Sequence, residues 1–372
     1  MMNKEITYQY QQSNWPHFSW NADTLATPLA EVRHAQGRLI GRMEALGFHL
    51  QNEAIVETLT EEIITSSSIE GEKLDREQVR SSIARKLGVN IGGLVPSDRY
   101  IEGVVEMVLD ATQHFDKPLT QERLFSWHSV LFPTGRSGLA PIRVGKWRND
   151  QTGPMEVVSG PIGKEKVHYI APDAACLKTE MNAFLKWFNG NTDTEPVLKA
   201  GIAHLWFVTI HPFDDGNGRI ARAIADLQLA RSEGIKQRFY SMSAQIRRER
   251  KTYYDILEQT QKGNLDITRW LLWFLACLKS AFLGAETTLD TVLKKARFWD
   301  VHRDAIFNDR QRKILNRLLD GFEGKLTSSK WATICKCSQD TALRDITDLI
   351  KQQILIKDQI GSRSTSYSLE AY

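Results

Sequence analysis

One stretch of the chain, residues 197–222, decides how it folds, and it reads VLKAGIAHLWFVTIHPFDDGNGRIAR. Residues 197–210 are apolar on nearly every side, which predicts a central helix that is buried all round. Pro212 cannot continue this helix because proline lacks the amide donor. The run DDGNG at 214–218 then predicts a tight polar loop, since glycine permits positive φ and close approach of the backbone. A second helix is predicted from Arg219 onward.

The start of that second helix has the features of an anion site. Backbone amides without helical partners and the positive end of the helix dipole gather there, around Gly216, Asn217 and Gly218. Arg219 and Arg222 are three residues apart, so both side chains can face the same anion.

Two further side chains complete this run of residues 211–222. Asp215 at the mouth of the loop is placed to hold a magnesium ion shared with phosphates. His211 at its entrance, near its ordinary titration range, is placed to accept a proton from an attacking hydroxyl. A lone histidine is usually structural, and an acidic pair before glycine is usually a solvated loop. Their joint occurrence with two arginines nevertheless predicts nucleotide chemistry.

The composition is that of an ordinary folded protein. Of 372 residues, 42% are apolar and 25% are charged, which excludes a disordered tail protein and a collagen-like chain and suggests two or three domains. The net charge of +3 indicates neither a nucleic-acid-binding nor an acid-binding protein, although a local basic patch is compatible with it.

The sequence predicts a cytoplasmic protein without a membrane span. No apolar run approaches the roughly 20 residues needed to cross a bilayer, and the start, MMNKEITYQYQQ, lacks the apolar core of a secretory signal. The cysteines are too few and too scattered for a disulfide scaffold, which fits a reducing compartment. They are Cys176, Cys277, Cys335 and Cys337.

Most of the chain has the hydrophobic periodicity of helices. Residues 25–48, 51–66, 75–87 and 177–188 follow it. The stretch 141–172 is instead rich in glycine and proline and contains the short extended run MEVV, so it predicts a loop with a small hairpin.

The last part of the chain predicts three helices followed by a two-stranded hairpin that turns around Gly361. This order is typical of a winged helix-turn-helix. The helices are expected at 309–320, 328–336 and 339–351, and the strands at 355–357 and 366–369.

The run His211–Arg222 resembles a known motif at every defined position, HPFx(D/E)GNGRxxR, the signature of the Fic family of adenylyltransferases. The resemblance covers roughly residues 100–280. It includes the tetrapeptide GKWR at 145–148, the helix that carries His204, and the pair Tyr253-Tyr254.

The resemblance implies a mostly α fold class: a Fic helical core with a small β-hairpin flap, an N-terminal helical region and a C-terminal winged helix-turn-helix. The implied domains are 1–95 for the N-terminal helical domain, 96–285 for the Fic catalytic core and 286–372 for the winged helix-turn-helix. Tyr8 to Phe48 resembles the N-terminal domain that is often fused to bacterial Fic proteins of about this length.

The family implies a reaction for the motif. His211 would deprotonate a Ser, Thr or Tyr hydroxyl of a target protein, and this hydroxyl would attack the α-phosphorus of ATP, so that AMP is transferred and pyrophosphate leaves. Asp215 would bind Mg²⁺ between the α- and β-phosphates. Residues 216–218 would form the anion hole, and Arg219 and Arg222 would hold the distal phosphates.

The family also implies roles around the motif. Ile220 and Ala221 complete the nucleotide-binding run up to Arg222, and Phe213 would anchor the loop in the core. Tyr253 and Tyr254 would lie near the adenine, whereas His204 is expected to pack structurally. The flap that positions the target side chain by strand addition would be the hairpin around Val157, Val158, Ser159 and Gly160.

A second family motif lies upstream, at Ser66–Gly71. In isolation SSSIEG is a helix that ends at a glycine cap, but it also matches (S/T)xxxE(G/N), the Fic inhibitory motif. Because it precedes the catalytic motif, the chain resembles the class with an N-terminal inhibitory helix. Glu70 would then pair with Arg222 in the space of the γ-phosphate, and Ser66 would fix the helix by hydrogen bonding.

Two alternative functions remain open at this stage. The first is a DNA-binding transcription regulator in which the Fic core is a nucleotide sensor. Side chains near the start of the candidate recognition helix and in the wing could reach DNA, whereas Asp340, Asp345 and Asp348 would weaken the attraction. The DNA-facing candidates are Ser338, Gln339, Thr341, Arg344 and Arg363.

The second alternative stays within the family: an enzyme that removes AMP or transfers another nucleotide, with Glu70 positioning water for the reverse reaction. The expected partners are therefore a target protein with an acceptor hydroxyl and, in the DNA-binding alternative, DNA, but no membrane. Family members commonly dimerise, so a homodimer is expected.

Overall fold

The computed structural model describes residues 7–46, 48–90, 93–151, 153–161, 163–319, 321–322, 324–358 and 365–370. These residues are mostly helical, and their strands form three small two-stranded antiparallel sheets. The predicted mostly α fold class is confirmed. The contacts divide the chain into two units, Met1–Ala285 and Glu286–Tyr372. The limits predicted for three domains stay predictions.

The first unit holds the helices up to the long helix α11, which continues past the unit boundary. The helices are α1 Ala22–Glu44, α2 Phe48–Ile69, α3 Arg76–Leu87, α4 Arg99–Gln113, α5 Gln121–Leu131, α6 Leu177–Asn189, α7 Pro196–Ile210, α8 Asn217–Glu233, α9 Met242–Arg248, α10 Arg250–Gln261 and α11 Thr268–Val301. The strands are β1 Arg136–Ser137, β2 Ala140–Pro141, β3 Glu156–Ser159 and β4 Lys166–Ile170.

Helix α7 is the centre of the first unit, as its all-round apolar sequence predicts. The Glu195 carboxylate caps its first turn by accepting the amides of Val197 at 2.7 Å and Leu198 at 3.0 Å. Gly201 lets α11 approach closely, because a Cβ at this position would lie 3.1 Å from the Phe274 ring. Nearly every residue of α7 is buried, so this helix gives the turn that follows it a rigid base.

The turn between α7 and α8 is closed by one side chain, Asn217. The Phe213 amide donates to Oδ1 of Asn217 at 3.0 Å, and Nδ2 of Asn217 donates to the Phe213 carbonyl at 2.8 Å. Asn217 is therefore buried and opens α8, so this helix begins two residues before the predicted start at Arg219.

The glycine-rich stretch contains the expected hairpin. Strands β3 and β4 pair antiparallel, with Val157 opposite Tyr169 and a bulge between Val157 and Val158. The observed strand, Glu156–Ser159, is one residue later than the extended run predicted at 155–158. This β3–β4 hairpin is the predicted flap.

The second unit has the predicted order of three helices and a hairpin in its described residues. Its core includes Phe298, Ile314, Trp331, Ile346 and Leu355. The turn residue Gly361 and the wing residue Arg363 lie outside the described residues, and the winged helix-turn-helix assignment stays a prediction. The elements are α12 Asp309–Leu319, α13 Ser328–Cys335, α14 Gln339–Lys351, β5 Leu355–Lys357 and β6 Tyr367–Leu369.

One described helix bears on the expectation that the chain has no membrane span. By length and composition alone, α11 is long and apolar enough to cross a bilayer. Its residues Trp270, Leu271, Phe274 and Leu275 are fully buried in the first unit. A helix packed inside a protein core passes the same test, and this packing accounts for the apolar character of that part of α11.

Candidate active site

His211 ends α7 in a left-handed conformation, with φ 51° and ψ 59°, and its amide donates to the Phe207 carbonyl at 3.0 Å. The ring atom Nδ1 lies 3.3 Å from the Val208 carbonyl. A carbonyl only accepts, so Nδ1 carries the proton in the neutral ring, and Nε2 keeps its lone pair. This is the tautomer that a general base at Nε2 requires.

Burial changes the titration of His211. Desolvation lowers the pKa of the imidazole from 6.5 to about 4, while the Val208 carbonyl opposes this shift. The expectation that His211 titrates near its ordinary range is therefore wrong, because sequence reasoning could not include its desolvation. The physical consequence is a ring that is neutral throughout the physiological pH range.

Arg148, from the GKWR tetrapeptide, fixes the backbone around His211. Its Nε donates to the His211 carbonyl at 2.8 Å, and its amide donates to the Pro212 carbonyl at 2.9 Å. Its Nη2 donates to the carbonyl of Pro172, just beyond β4, and Nη1 pairs with Asp150 at 2.7 Å. One buried guanidinium thus joins the turn between α7 and α8 to the base of the flap. We call this turn, residues 211–216, the catalytic turn after the role predicted for His211.

The turn is anchored in the core by Phe213, as predicted. Its ring is fully buried and stacks on the His128 ring at 4.2 Å, with the Trp147 ring at 5.0 Å. The Gly145 amide donates to Nδ1 of His128 at 3.1 Å, so Nε2 carries the proton and donates to the Asp215 carbonyl at 3.2 Å. Sequence reasoning missed His128, because nothing in α5 marks one histidine as a neighbour of the motif.

The first turn of α8 and the glycine before it form a cradle whose backbone amides have no side-chain cap among the described residues. Gly216 precedes the helix with φ 81°. A Cβ at Gly216 would lie 2.9 Å from the Phe132 ring, and a Cβ at Gly218 would lie 2.3 Å from Oε1 of Glu70. A carboxylate therefore already lies against this helix terminus, where an anion is favoured.

Asp215 is held in a defined orientation at the mouth of the cradle. Its Oδ2 accepts from the Ser137 hydroxyl, and its Oδ1 accepts from the Gly216 amide at 2.5 Å. The neighbouring Asp214 accepts the Arg143 amide at 2.7 Å. Within the described part of the chain, no group of three or more His, Cys, Asp or Glu side chains could hold a metal ion by itself.

Arg222 is buried and makes the contacts expected of an inhibitory motif. Its Nη2 donates to Oε1 of Glu70 at 2.8 Å and to the Ser66 carbonyl at 2.9 Å, and its Nε donates to the Ser66 hydroxyl at 3.0 Å. Gly71 follows with φ 86°, which ends the turn after α2. The third nitrogen, Nη1, is buried and has no hydrogen-bond partner among the described residues.

Arg219 is held by two residues that sequence reasoning missed. Its Nη1 donates to Glu72 at 2.9 Å and to the Tyr100 hydroxyl at 2.7 Å, and this hydroxyl donates to Glu72. Two carboxylates of one segment thus pair with two arginines of α8. We call these pairs, Glu70–Arg222 and Glu72–Arg219, the clasp. The proximity of Glu72 to the inhibitory motif was a signal, but only the folded chain aligns it with Arg219.

The flap lies against α10, the helix that carries the two predicted adenine neighbours. The Ser159 hydroxyl and Nε2 of His168 are 2.6 Å apart, and Nδ1 of His168 is 2.7 Å from Glu258 of α10. Tyr253 is buried with its hydroxyl 3.0 Å from Nε2 of His204, so it belongs to the core. Tyr254, by contrast, is 36% exposed, so of these two tyrosines it is the one at the surface.

A cleft of about 850 Å³ lies beside the outer face of the flap. It is lined by Glu156 and Val158 of β3, by residues 141–143 and by Asp214 of the motif. Val158 is half-exposed. Gly160 follows β3 with φ 108°, where a Cβ would lie 2.9 Å from the Lys164 carbonyl. The cleft thus connects the flap to the catalytic turn.

Residues 118–229 match the Fic/DOC family. The chain therefore contains a Fic family domain. The matched range contains the whole run from His211 to Arg222, together with Arg148 and the flap. Residues 8–89, which include Ser66–Gly71, match a domain of unknown function, DUF4172.

Proteins with the curated name protein adenylyltransferase Fic are similar to the chain. The one from Nematostella vectensis is 26% identical over 246 residues, which cover 63% of this chain and 51% of that protein. The one from Culex quinquefasciatus is 28% identical over 243 residues, which cover 64% of this chain and 42% of that protein. The chain spans about half the length of the curated relatives it matches.

Two solved structures share the fold. A Fic family protein from Desulfovibrio desulfuricans G20 has a TM-score of 0.54 and 22% identity, with 96% of this chain and 99% of that chain covered. A Fic-domain signalling protein from Bacteroides thetaiotaomicron VPI-5482 has a TM-score of 0.52 and 20% identity, with 72% of this chain and 97% of that chain covered. In both comparisons the shared fold covers more of the chain than residues 118–229, the range that matches the Fic/DOC family.

Proposed function

We propose that the chain is an autoinhibited protein adenylyltransferase, which transfers AMP from ATP to Ser, Thr or Tyr hydroxyls of target proteins and of itself and releases pyrophosphate. One observation carries this proposal: a neutral histidine stands at the entrance of a glycine cradle in which a carboxylate, Glu70, occupies the position suited to a phosphate. The names of the similar proteins support the same reaction.

The proton transfer follows from the geometry of His211. With Nδ1 donating to the Val208 carbonyl, Nε2 accepts the proton of the acceptor hydroxyl as its oxygen attacks the α-phosphorus. The bond between the α-phosphorus and the bridging oxygen breaks, and pyrophosphate leaves with the electron pair. Arg148 contributes by holding the His211 carbonyl, which keeps the ring in a fixed position.

The phosphates would be bound by the first turn of α8 and its two arginines. Buried donors without partners are costly, and both Nε of Arg219 and Nη1 of Arg222 are such donors among the described residues. Phosphate oxygens supply the acceptors that these nitrogens lack. Autoinhibition follows because the Glu70 carboxylate and a phosphate compete for the same cradle and the same guanidinium.

Asp215 fits the predicted magnesium ion. Mg²⁺ in nucleotide sites keeps several waters and is bound by one or two carboxylates together with substrate phosphates. A single well-oriented carboxylate is therefore sufficient as the protein ligand. When bound, the ion would neutralise charge on the phosphates. Ser137 and the Gly216 amide would keep the Asp215 carboxylate aimed at the mouth of the cradle.

The target would bind in the cleft beside β3. An extended segment of the target adds to the strand edge through its main chain, and this presents its hydroxyl towards the catalytic turn. The cleft is lined by Val158 on the flap and by Asp214 on the motif, which supports this assignment. Homodimer formation and a cytoplasmic location stay predictions from the sequence.

The DNA-binding alternative has weaker support from α14. Ser338 caps this helix by accepting the Thr341 amide at 3.2 Å, so it is engaged within the helix. Asp345 is buried and its charge is paired with Arg310 at 2.7 Å, so the weakening of DNA attraction expected from this residue does not apply. Gln339 and Arg344 are exposed, but so is the apolar Leu343 beside them. No observation on this unit favours a second function.

The decisive experiment uses the Glu70→Gly variant with labelled ATP, CTP, GTP and UTP, with and without cell lysate. We expect AMP incorporation from ATP to exceed that of the unaltered chain, including incorporation into the enzyme itself, because the cradle is then open to the γ-phosphate. The Glu70→Gly, His211→Ala double variant is the control, and its transfer should be about 10²- to 10⁴-fold lower. Incorporation from another nucleotide would show that the enzyme transfers that nucleotide instead. If a modified protein loses AMP with the unaltered chain but not with the Glu70→Gly variant, the enzyme catalyses the reverse reaction.

A further inference from the structure

Residues 8–20 form a segment that crosses the Fic core, and we call it the strap. The Gln9 side chain donates to the Asn264 carbonyl at 2.8 Å, and the Ser19 amide donates to the Leu265 carbonyl at 2.9 Å. The Trp15 indole donates to Glu180 of α6 at 2.8 Å. The strap belongs to the range that matches a domain of unknown function, so nothing assigns it a role.

Two tyrosines of the strap hold one tyrosine of the flap. The rings of Tyr8 and Tyr10 are stacked, with centroids 5.7 Å apart. Each contacts the Tyr169 ring edge to face, at 5.1 Å from Tyr8 and 6.3 Å from Tyr10. Tyr8 and Tyr169 are buried, and Val157 of β3 packs against the same cluster. Such edge-to-face pairs stabilise one orientation of the ring.

Tyr169 in turn connects the flap to the catalytic turn. It lies on β4 directly opposite Val157, where the bulge begins. Its hydroxyl donates to the Thr209 carbonyl at 2.6 Å, two residues before His211. Two residues after Tyr169, the Ala171 amide donates to the Met155 carbonyl at 2.9 Å, and this bond also fixes the hairpin. The strap, the flap and the end of α7 therefore meet at one side chain.

We infer that the strap positions the flap for the target protein, with Tyr8 and Tyr10 as positioning residues that act through Tyr169. A two-stranded hairpin is marginally stable by itself, so the flap needs support from outside. With the Tyr169 ring fixed, β3 keeps its register and its distance from His211, and its outer edge is ready for strand addition. The part of this inference that concerns the target protein rests on the proposed function. The ordering of the flap by the strap does not depend on the proposed function.

The first test measures hydrogen exchange of amides 155–171 in full-length Tyr8→Ala and Tyr10→Ala variants. We expect faster exchange in the flap and unchanged exchange in α7 and α8, with Tyr8→Phe and Tyr10→Phe as matched controls that keep the rings. Unchanged flap exchange in the alanine variants overturns the inference. Exchange that rises throughout the first unit also overturns it, because the tyrosines would then serve the core as a whole.

The second test measures transfer in the Glu70→Gly background, with the full-length His211→Ala chain as the protein acceptor. For Tyr8→Ala we expect KM for this acceptor to rise about fivefold, which is the scale of one lost aromatic pair, while kcat and ATP affinity stay unchanged and Tyr8→Phe restores KM. A fall in kcat with unchanged KM contradicts a positioning role. If the Glu70→Gly chain transfers no AMP, the proposed function fails, and the exchange measurement still decides whether the strap orders the flap.

Discussion

The first turns of α8 and α14 were both candidate binding sites in the sequence, α8 for the phosphates of a nucleotide and α14 for DNA, and the structure gives them different local chemistry. Helix α8 is preceded by Gly216 and has no side-chain cap among the described residues, and a carboxylate lies against its second residue, Gly218. Helix α14 is capped by Ser338, whose hydroxyl oxygen accepts the Thr341 amide. A helix start binds an external anion when its own sequence leaves the amides uncapped.

The largest expected effect comes from the base beside α8. His211→Ala in the Glu70→Gly background should lower AMP transfer by about 10²- to 10⁴-fold, the usual contribution of a positioned general base. ATP affinity should stay nearly unchanged, because the cradle and both arginines remain. Transfer rates from labelled ATP and calorimetric ATP binding check the two parts. Equal transfer in both chains would remove His211 as the base.

A smaller effect is expected from the second pair of the clasp. Glu72→Gln keeps the shape of the side chain but removes the charge that neutralises Arg219, so ATP should bind about fivefold more tightly, the scale of a partly exposed ion pair. The matched control is Glu77→Gln, which removes the same charge from an exposed position on α3. Identical ATP affinity in the Glu72→Gln and control chains would limit the inhibitory contact to Glu70.

The pH dependence of transfer tests the environment of His211. A base must be unprotonated, and the pKa of this imidazole is lowered to about 4 by burial, so activity should persist below pH 6.5 and fall only as pH approaches 4. In the Glu70→Gly chain, kcat/KM should change less than twofold between pH 8 and pH 6, after correction for ATP binding measured at each pH. A midpoint near 6.5 would mean that the ring is solvated.

The smallest effect on activity is expected at α14. Ser338→Ala removes the cap and should lower the stability of the second unit by about 1 kcal/mol, as for other lost caps. AMP transfer and ATP binding should not change. Thermal unfolding and the transfer assay measure the two quantities, and a mobility assay with salt titration shows whether the unit binds DNA. A steep salt dependence of DNA binding would restore the nucleic-acid alternative.

The elements that could be predicted are those whose signals lie close together in the chain. The apolar run of α7, the stop at Pro212 and the glycines after it predicted helix, turn and helix with an error of two residues. The pairing of Glu70 with Arg222 was expected through the resemblance to a family motif, and the structure contains this contact. The order of elements in the second unit followed from hydrophobic periodicity and turn residues.

The parts that escaped prediction depend on contacts between distant segments. Tyr100 and Glu72 meet Arg219 only because α4, α8 and the end of α2 pack together. His128 supports the catalytic turn from α5, and Tyr8 reaches the flap from the strap. No spacing in the sequence reports such neighbours, because each of these residues belongs to an ordinary helix or loop when its segment is considered alone.

The sequence by itself determined the local chemistry of this protein: a histidine that ends a buried helix, a glycine cradle that opens the next one, and two arginines on its first turns. Tertiary structure decided what that chemistry does in the resting chain. Burial makes His211 neutral, and the segment after α2 brings carboxylates onto Arg219 and Arg222. The reason is physical: backbone conformation follows neighbouring residues, whereas desolvation and charge pairing depend on which distant side chains the fold brings into contact.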